Sequence, residues 1–429
     1  MYDLVIIGAG WAGFNAALKA KELGLKACLI EKAQIGGTCL NSGCIPTKTL
    51  IQSAKVLALT KKSATFGVEG AVPSINFLKV QERKEKVILQ LRQGMQSFLK
   101  GVDFLSAEAQ LISNEEIKAG EQTIKTKNIL IATGSRPIEL PAFKFDSKTI
   151  LSSDDILNLK EIPASLLIIG GGVIGCEFAS LFSTLGTQVT VVEKMPELLP
   201  GEDSEVAKKL EIIFKKKGIK VHTNTDAQTF DTKNYSLTLS CVGRSPKTDL
   251  LGLSEIGVKL EKNKILVDDF LKTNINNIYA AGDCTGKIML AHYAVYQGAI
   301  AAQNLANPNA AIKADNLIVP NCIFTDPEIS SVGLSEEKAK NKGIDAKINK
   351  FDFLGSGMAR ILDEAEGFIK VISETKSGRI IGASVIGSKA TELIAVFAVA
   401  ITNQLNTHQL KETIFAHPTL SESIHESLK

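Results

Sequence analysis

The chain has 429 residues, 45% hydrophobic and 22% charged, a globular composition long enough for two to four domains. A net charge of +3 is too small to argue for a nucleic acid or an anionic membrane as partner. Seven scattered cysteines do not form a secreted disulfide framework, and five dispersed histidines without a CxxC pair offer no metal site. No targeting segment is recognisable ahead of Tyr2, and the longest apolar run near the C-terminus, 393–401, has nine residues, too few to span a bilayer. A soluble cytoplasmic protein is expected. The apolar run 2–8 predicts a buried parallel strand, 12–23 a helix, and 26–31 a second strand that ends in an acid. Gly8, Gly10 and Gly13 between them complete GxGxxG, and Glu31 follows Gly13 by 18 residues. Glycines at such a turn let backbone approach a pyrophosphate at a helix N-terminus, and the acid takes ribose hydroxyls.

Residues 36–48 read Gly-Gly-Thr-Cys-Leu-Asn-Ser-Gly-Cys-Ile-Pro-Thr-Lys. Cys39 and Cys44 lie five apart, which a regular helix separates by about 7.5 Å, whereas a disulfide wants Cα atoms roughly 4.4–6.8 Å apart. A bond between them needs a distorted helix, for which Gly43 and Pro46 are suited. So local a bond would be reducible rather than stabilising; the alternative is two unpaired structural thiols. Residues 75–100 predict a long amphipathic helix and 124–132 a strand that runs out through Thr133-Gly134-Ser135-Arg136-Pro137.

The opening pattern then repeats. Strand 166–169 leads into Gly170, Gly172 and Gly175, and strand 189–193 ends in Glu193. First glycine and acid are 23 residues apart both times, Gly8 to Glu31 and Gly170 to Glu193. Two such modules imply two dinucleotides, and an enzyme that holds two is built to pass electrons between them. Glu193 without a following arginine run favours NAD over NADP, because a 2′-phosphate would be repelled. The stretch 224–240 is short and polar, with room for one strand or two of ~5–6 residues before Val242-Gly243-Arg244. Strand 277–281 runs into Gly282-Asp283-Cys284, where Asp283 could cap a helix and Cys284 be a small buried residue, and a helix begins at 289–292. Beyond about 317 come strands at 320–324, 368–373 and 380–385 and helices at 335–342 and 389–404. His417, followed five residues on by Glu422, fits a histidine oriented by a carboxylate or one that caps the turn before Pro418. His222, His408 and His425 stand in polar surroundings and are expected at the surface.

The segment 36–48 closely resembles the active site of the flavin-dependent pyridine nucleotide–disulfide oxidoreductases, and the resemblance covers nearly the whole chain. Its dihydrolipoyl-oxidising branch is the best match, with glutathione and mercuric reductases as cousins. A mercuric reductase would end in a cysteine pair, and no cysteine follows Cys322. The resemblance implies an α/β fold: an FAD-binding Rossmann-like domain at 1–145, an NAD-binding one at 146–265 trimmed near 224–240, a central domain at 266–316 completing the FAD site, and a C-terminal α+β dimerisation domain at 317–429. It makes Cys39–Cys44 the redox disulfide, Cys39 the interchange thiol and Cys44 the flavin-facing one. Lys48 and Glu177 pair beside the flavin's reactive nitrogen. The FAD positions are Gly8, Gly10, Gly13, Glu31, Lys48, Thr133, Gly134, Ser135, Asp283 on the ribityl chain, and Ala291, whose backbone meets the isoalloxazine. Gly170, Gly172, Gly175, Glu177, Glu193 and Gly243 serve the nucleotide side. His417, oriented by Glu422, is the base, supplied by the other subunit of a homodimer; where relatives often read His-Ala-His this chain has Phe415-Ala416-His417. The implied reaction moves electrons from a dihydrolipoyl group, carried on the lipoyl domain of a 2-oxo-acid dehydrogenase or glycine cleavage complex, through the disulfide and FAD to NAD+. Two other readings remain: a related reductase of another disulfide or a metal ion, and a non-catalytic FAD-binding subunit.

Overall fold

The apolar run after Tyr2 forms the central strand that its sequence predicts. In the computed structural model, which describes residues 1–70, 73–249, 251–314 and 318–429, β1 (Tyr2–Ile7) pairs in parallel with β2 (Ala27–Glu31), Leu4 opposite Ala27. Between them α1 (Trp11–Glu22) buries Phe14, Ala16 and Ala17 against Leu4 and Ile6. Helices α2 (Gly37–Ser42), α3 (Cys44–Lys61) and α4 (Phe77–Phe98) follow. Strands β3 (Asp103–Ser106), β4 (Ala109–Leu111), β5 (Glu116–Ala119) and β6 (Gln122–Ile131) then complete a sheet of order β3-β2-β1-β6-β5-β4. Its β4–β5 hairpin, antiparallel onto β6, was not foreseen.

The chain leaves through β7 (Ser135–Pro137) and builds a second, all-parallel sheet. This contains β8 (Ile150–Leu151), β9 (Ser165–Ile169), α5 (Val173–Leu185), β10 (Gln188–Val192), α6 (Ser204–Lys216), β11 (Lys220–His222) and β12 (Leu237–Ser240), with strand order β11-β10-β9-β12-β8. The two modules match at their tight turns as well as in spacing. A Cβ on Gly13 would stand 1.8 Å from the Gly8 carbonyl oxygen, and one on Gly175 would stand 1.9 Å from that of Gly170. Only glycine fits such contacts.

The stretch 224–240 holds one strand, β12, of the one or two it has room for, and no other strand forms between β11 and β12. Two 3₁₀ turns, Ala227–Thr229 and Thr232–Asn234, lie there instead, each started by an aspartate that accepts a backbone N–H, Asp226 from Gln228 and Asp231 from Lys233. This connection carries the chain from the sheet edge past two strands, three interstrand steps of ~4.8 Å, and its apolar residues turn to the sheet face instead of to a ladder. Ala227, Phe230 and Tyr235 are spent covering Leu167, Ile169 and Val192.

The chain returns to the first unit by β13 (Arg244–Pro246), antiparallel to β7, and by the small hairpin β14 (Leu260–Glu261) and β15 (Lys264–Ile265). Then β16 (Ile278–Ala280) pairs with β6, and α7 (Ala291–Ala306) packs so closely on α1 that a Cβ on Gly298 would lie 2.1 Å from the Ala12 carbonyl oxygen.

The last unit contains β17 (Asn321–Ile323), β18 (Glu328–Gly333), α8 (Glu336–Asn341), β19 (Ala346–Asp352), α9 (Gly357–Ile361), β20 (Phe368–Glu374), β21 (Ile380–Gly387), α10 (Ala390–Thr402), α11 (Thr407–Lys411) and α12 (Glu422–Glu426). Its five strands are antiparallel in the order β17-β18-β21-β20-β19, of which β18 and β19 were not anticipated. The apolar run 393–401 lies in α10, which packs Leu393, Ile394 and Phe397 into the core and leaves Val399 exposed. No helix among the described residues is long and apolar enough to cross a membrane.

A buried cation ties this unit to the second sheet. Lys370 of β20, 1% exposed, meets Asp203 at 3.0 Å, Glu205 at 2.9 Å and Glu336 at 2.6 Å. Asp203 is itself the N-cap of α6, accepting the Glu205 N–H. Burial works against the ammonium's charge, but the three carboxylates more than offset it and hold its pKa above the usual value. Lys370→Met should leave Asp203 buried and uncompensated, costing ~3–5 kcal/mol. A thermal melt unchanged from wild type would show that the cluster holds nothing together.

Candidate active site

The redox segment is a helix broken at one residue. α2 stops at Gly43, whose φ of −147° and ψ of −112° leave the helical region, and α3 restarts at Cys44. The break brings Cys39 and Cys44 into hydrogen-bond contact across it. Both carry free thiols in this geometry, that of the reduced pair. Their environments push them apart. A hydrogen bond from Cys39 pulls the Cys44 thiol down to about 7, helped by the Lys48 charge and opposed by burial. The same contact, burial and the neighbouring sulfur's charge push Cys39 upward. The anion of the reduced pair therefore sits on Cys44.

Lys48, one turn along α3, reaches both oxygens of Glu177 on α5, at 2.8 and 2.7 Å. Glu177 is 5% exposed and also accepts the Phe324 N–H at 2.9 Å, while the Lys48 ammonium stands 4.8 Å from the centre of the Phe324 ring. One carboxylate thus joins all three units beside the redox pair, a pairing expected of Lys48 and Glu177 and a third partner, Phe324, that was not.

The residues expected to hold a flavin fit one. The first turn opens onto the uncapped N-terminus of α1, and α7, which begins at Ala291, likewise has no side-chain cap. At both ends the first-turn backbone N–H groups have no acceptor within their own helix, the arrangement that suits an anionic group. Glu31 holds the turn shut with Oε2 on the Ala9 N–H and Oε1 on that of Ala33, both at 2.8 Å. A cavity of about 110 Å³ lies beside it, lined by Gly8, Glu31, Thr133 and Lys247 among others. Asp283 does not cap a helix: its Oδ2 accepts the Ser135 hydroxyl at 2.5 Å, and Arg244 donates to Ser135 Oγ at 2.8 Å and to its carbonyl at 2.9 Å. Gly134 is in the left-handed region, φ 73°, and directs the chain from β6 into that network; Gly243, φ 123°, leads from β12 into Arg244. Cys284 is fully buried, as expected.

The second module repeats the lock. Glu193 Oε2 accepts the Gly171 N–H at 2.6 Å and Oε1 that of Met195 at 2.7 Å. Glu31 is half-exposed but Glu193 is buried, because Leu198 and Leu199 close over this turn and Leu199 donates to the Gly171 carbonyl. Gly172 has open space above it, at the uncapped start of α5.

His417 and Glu422 pair as expected, Nδ1 to Oε2 at 2.7 Å, and that bond holds the Glu422 carboxyl below the usual range. In the single chain the His417 side chain is 79% exposed, and no hydrogen bond joins it to α2 or α3 among the described residues. His222 and His408 are exposed as expected, whereas His425 is half-buried with Nδ1 on the Lys411 carbonyl, because α12 folds back against that turn. Among the described residues no group of three potential ligands could hold a metal ion.

Sequence reasoning also passed over Trp11, whose indole lies against the Cys39 sulfur, and half-buried Asp154, whose carboxyl burial pushes up against the opposing effects of Arg244 and Ser42. Only Trp11 carried a signal, as the one tryptophan in the chain and the residue after Gly10.

Comparison with known proteins agrees with this geometry. The pyridine nucleotide-disulphide oxidoreductase family matches residues 2–298, and its dimerisation domain residues 319–428. The chain belongs to that family: it is a flavin-dependent disulfide oxidoreductase that uses FAD and NAD. It is 41% identical to a dihydrolipoyl dehydrogenase of Bacillus subtilis, covering 99% of this chain and 97% of that one. It is 40% identical to the dihydrolipoyl dehydrogenase of Chlamydia muridarum, covering 99% and 96%. Among solved structures, the HOCl-induced flavoprotein disulfide reductase RclA from Escherichia coli matches with a TM-score of 0.90 at 29% identity, over 100% of this chain and 99% of that chain. LpdA from Mycobacterium tuberculosis matches with a TM-score of 0.91 at 28% identity, over 99% and 98%.

The coupled thiols make a testable pair. In reduced protein, Cys44 alkylation by iodoacetamide should fall off as pH drops through about 7, since the thiolate is lost below its lowered pKa. Cys39→Ala removes the hydrogen bond that does most to lower the Cys44 pKa and should move that midpoint up toward ~8.5. A midpoint that stays put would mean that Cys39 does not set the Cys44 pKa.

Proposed function

We propose that this chain oxidises a dihydrolipoyl group, passing two electrons through Cys39 and Cys44 to FAD and on to NAD+. The observation that carries the reading is the adjacent cysteine pair, with Cys44 the more acidic of the two and the Lys48–Glu177 pair beside it. Relatives named dihydrolipoyl dehydrogenase, about 40% identical over nearly the whole chain, support this substrate over those of the reductases that match at 28–29%.

In the oxidised protein a substrate thiolate attacks the Cys39 sulfur; the Cys39–Cys44 bond breaks and its electron pair leaves on Cys44. The substrate's second thiolate then attacks its own sulfur in the mixed disulfide and displaces Cys39, closing the cyclic disulfide. What remains is the dithiol, in the contact seen here. Each substrate thiol must lose a proton: the His417 imidazole, oriented by Glu422, takes the first and releases it to solvent, then takes the second, which passes to the displaced Cys39 thiolate. Lys48 balances the anion on Cys44. Bound FAD would supply the two-electron relay between that thiolate and the nucleotide.

In this reading His417 serves the disulfide of a second copy, which accounts for its 79% exposure on a single chain and makes the working unit a homodimer. The domain limits at 145 and 316 follow the same reading, with the chain returning to the first unit at β13, ahead of the limit expected at 265. Glu193 selects NAD through repulsion of a 2′-phosphate.

Dihydrolipoamide-dependent reduction of NAD+ should disappear in Cys39→Ser and fall ~10²–10⁴-fold in His417→Gln. Mixing the two inactive proteins under subunit exchange should restore activity, because one site of each heterodimer carries neither lesion. Proven exchange without recovery would refute the shared site. Full activity with a dithiol other than dihydrolipoamide, and none with it, would refute the substrate. NADP+ should serve far worse than NAD+, and equal kcat/KM for the two would remove Glu193 as the selector.

A further inference from the structure

One polar group beside the redox pair has no partner. Trp11 is the only tryptophan in 429 residues. It opens α1, directly after Gly10. α2 is laid against that turn: Gly36 donates to the Ala9 carbonyl at 2.8 Å, and a Cβ on Gly37 would stand 2.7 Å from the Gly10 Cα. Cys39 follows Gly37 by two residues, so the backbone approach itself delivers the interchange sulfur to the indole. The ring is fixed in place. It meets Phe14 edge-on, centroids 6.3 Å apart at 87°, and packs on the core that contains Leu40, with Ile45 beside it. Its Nε1 is sealed from solvent and makes no hydrogen bond of ordinary geometry among the described residues.

An indole N–H can only donate, and a buried donor without an acceptor costs free energy, so its presence requires an explanation. The adjacent acceptor is the Cys39 sulfur, and contact with Trp11 draws the Cys39 pKa downward against the larger effects of Cys44 and burial. In the dithiol, however, the Cys39 thiol is engaged with Cys44. The donor stands beside the sulfur but short of a hydrogen bond of ordinary geometry.

We propose that the Trp11 indole N–H is held in reserve for the Cys39 thiolate and stabilises it as the leaving group when substrate is released from the mixed disulfide. The inference rests on the disulfide-exchange reading of the site. In that step the free substrate thiolate attacks the substrate sulfur bonded to Cys39. One S–S bond forms within the substrate, the bond to Cys39 breaks, and its electron pair goes to Cys39. Trp11 donates a hydrogen bond to the new anion but no proton; the proton that neutralises Cys39 afterwards comes from the imidazolium of the base. A charge-assisted bond of this kind is stronger than a neutral one, so the donor favours the departing thiolate over the neutral thiol.

Trp11→Phe keeps the ring and removes the N–H. In the reduced holoenzyme, iodoacetamide labelling resolved by peptide mass spectrometry gives the pH profile of Cys39 apart from that of Cys44. The variant should shift the Cys39 midpoint upward and slow its labelling at neutral pH about tenfold, with flavin content unchanged. An unchanged Cys39 profile in folded, flavin-loaded Trp11→Phe overturns the proposal. So does a variant that loses flavin while its Cys39 profile stays wild type, which would assign the N–H to the cofactor. Where the variant does not fold, the wild type decides. With 5-fluorotryptophan the protein has one fluorine resonance, which should titrate together with Cys39 labelling; a resonance indifferent to the Cys39 thiolate overturns the proposal. Labelling involves no substrate, so a failed dihydrolipoamide assay would leave this result standing.

Discussion

Two sulfurs five residues apart can touch only if the helix that carries them is broken, and Gly43 breaks it. The rest of the site serves the pair created at that break. α3 starts afresh at Cys44 and puts Lys48 one turn further on, where its charge meets both the thiolate and Glu177. Glu177 in turn accepts from the backbone of Phe324. A displacement of any of the three units would therefore change the field at Cys44, and the electrostatics of the thiol pair depend on the assembly as a whole.

The units share one apolar core, which holds Leu50 and Ile51 of α3, Phe178 and Phe182 of α5, and Ile323 and Ile329 of the last unit, and buried charge is set within it. Lys370 carries three carboxylates from two units, and Lys48–Glu177 bridges two more elements at low exposure. Such pairs gain little net stability, because desolvation offsets attraction, but they tolerate only one geometry. That suits an enzyme whose electrons must cross from one unit to another. Asp203, held by Lys370, ends the loop whose Leu198 and Leu199 close over the second glycine turn, so the same cluster also supports the nucleotide end of the relay.

The second module shows how little of its fold the chemistry requires. The turn, the acid and five parallel strands persist while the connection before β12 is reduced to two 3₁₀ turns. Phe230 and Tyr235 cover the sheet face there, and His222 stacks edge-on to Phe230 at 5.1 Å. The start of this connection is bonded to the residues that lock the glycine turn: Glu193 donates to the His222 carbonyl and accepts from Thr225, and Asn224 donates to the Met195 carbonyl.

Sequence alone determined whatever depends on neighbours within about 25 residues. The strand–glycine–helix–strand–acid modules were legible because their turns are steric: a Cβ on Gly13 or Gly175 would overlap a carbonyl oxygen in the same turn. The broken redox helix and the His417–Glu422 pair are local in the same sense. The resemblance placed Glu177 and Asp283, whose partners lie more than a hundred residues away. Tertiary structure decided the rest. The edge strand β19, with its polar alternation, is defined by what it pairs with rather than by its own residues. The fate of the 223–236 connection depended on the sheet face that Phe230 and Tyr235 cover. Lys370 looks in sequence like any strand lysine until three acids from distant segments surround it. Trp11 reads as the first residue of an ordinary helix, and only the approach of Gly37 to Gly10 sets the Cys39 sulfur against its indole. Periodicity and spacing describe the chain's local sterics; which buried polar groups meet is fixed by packing between segments, and no local pattern encodes it.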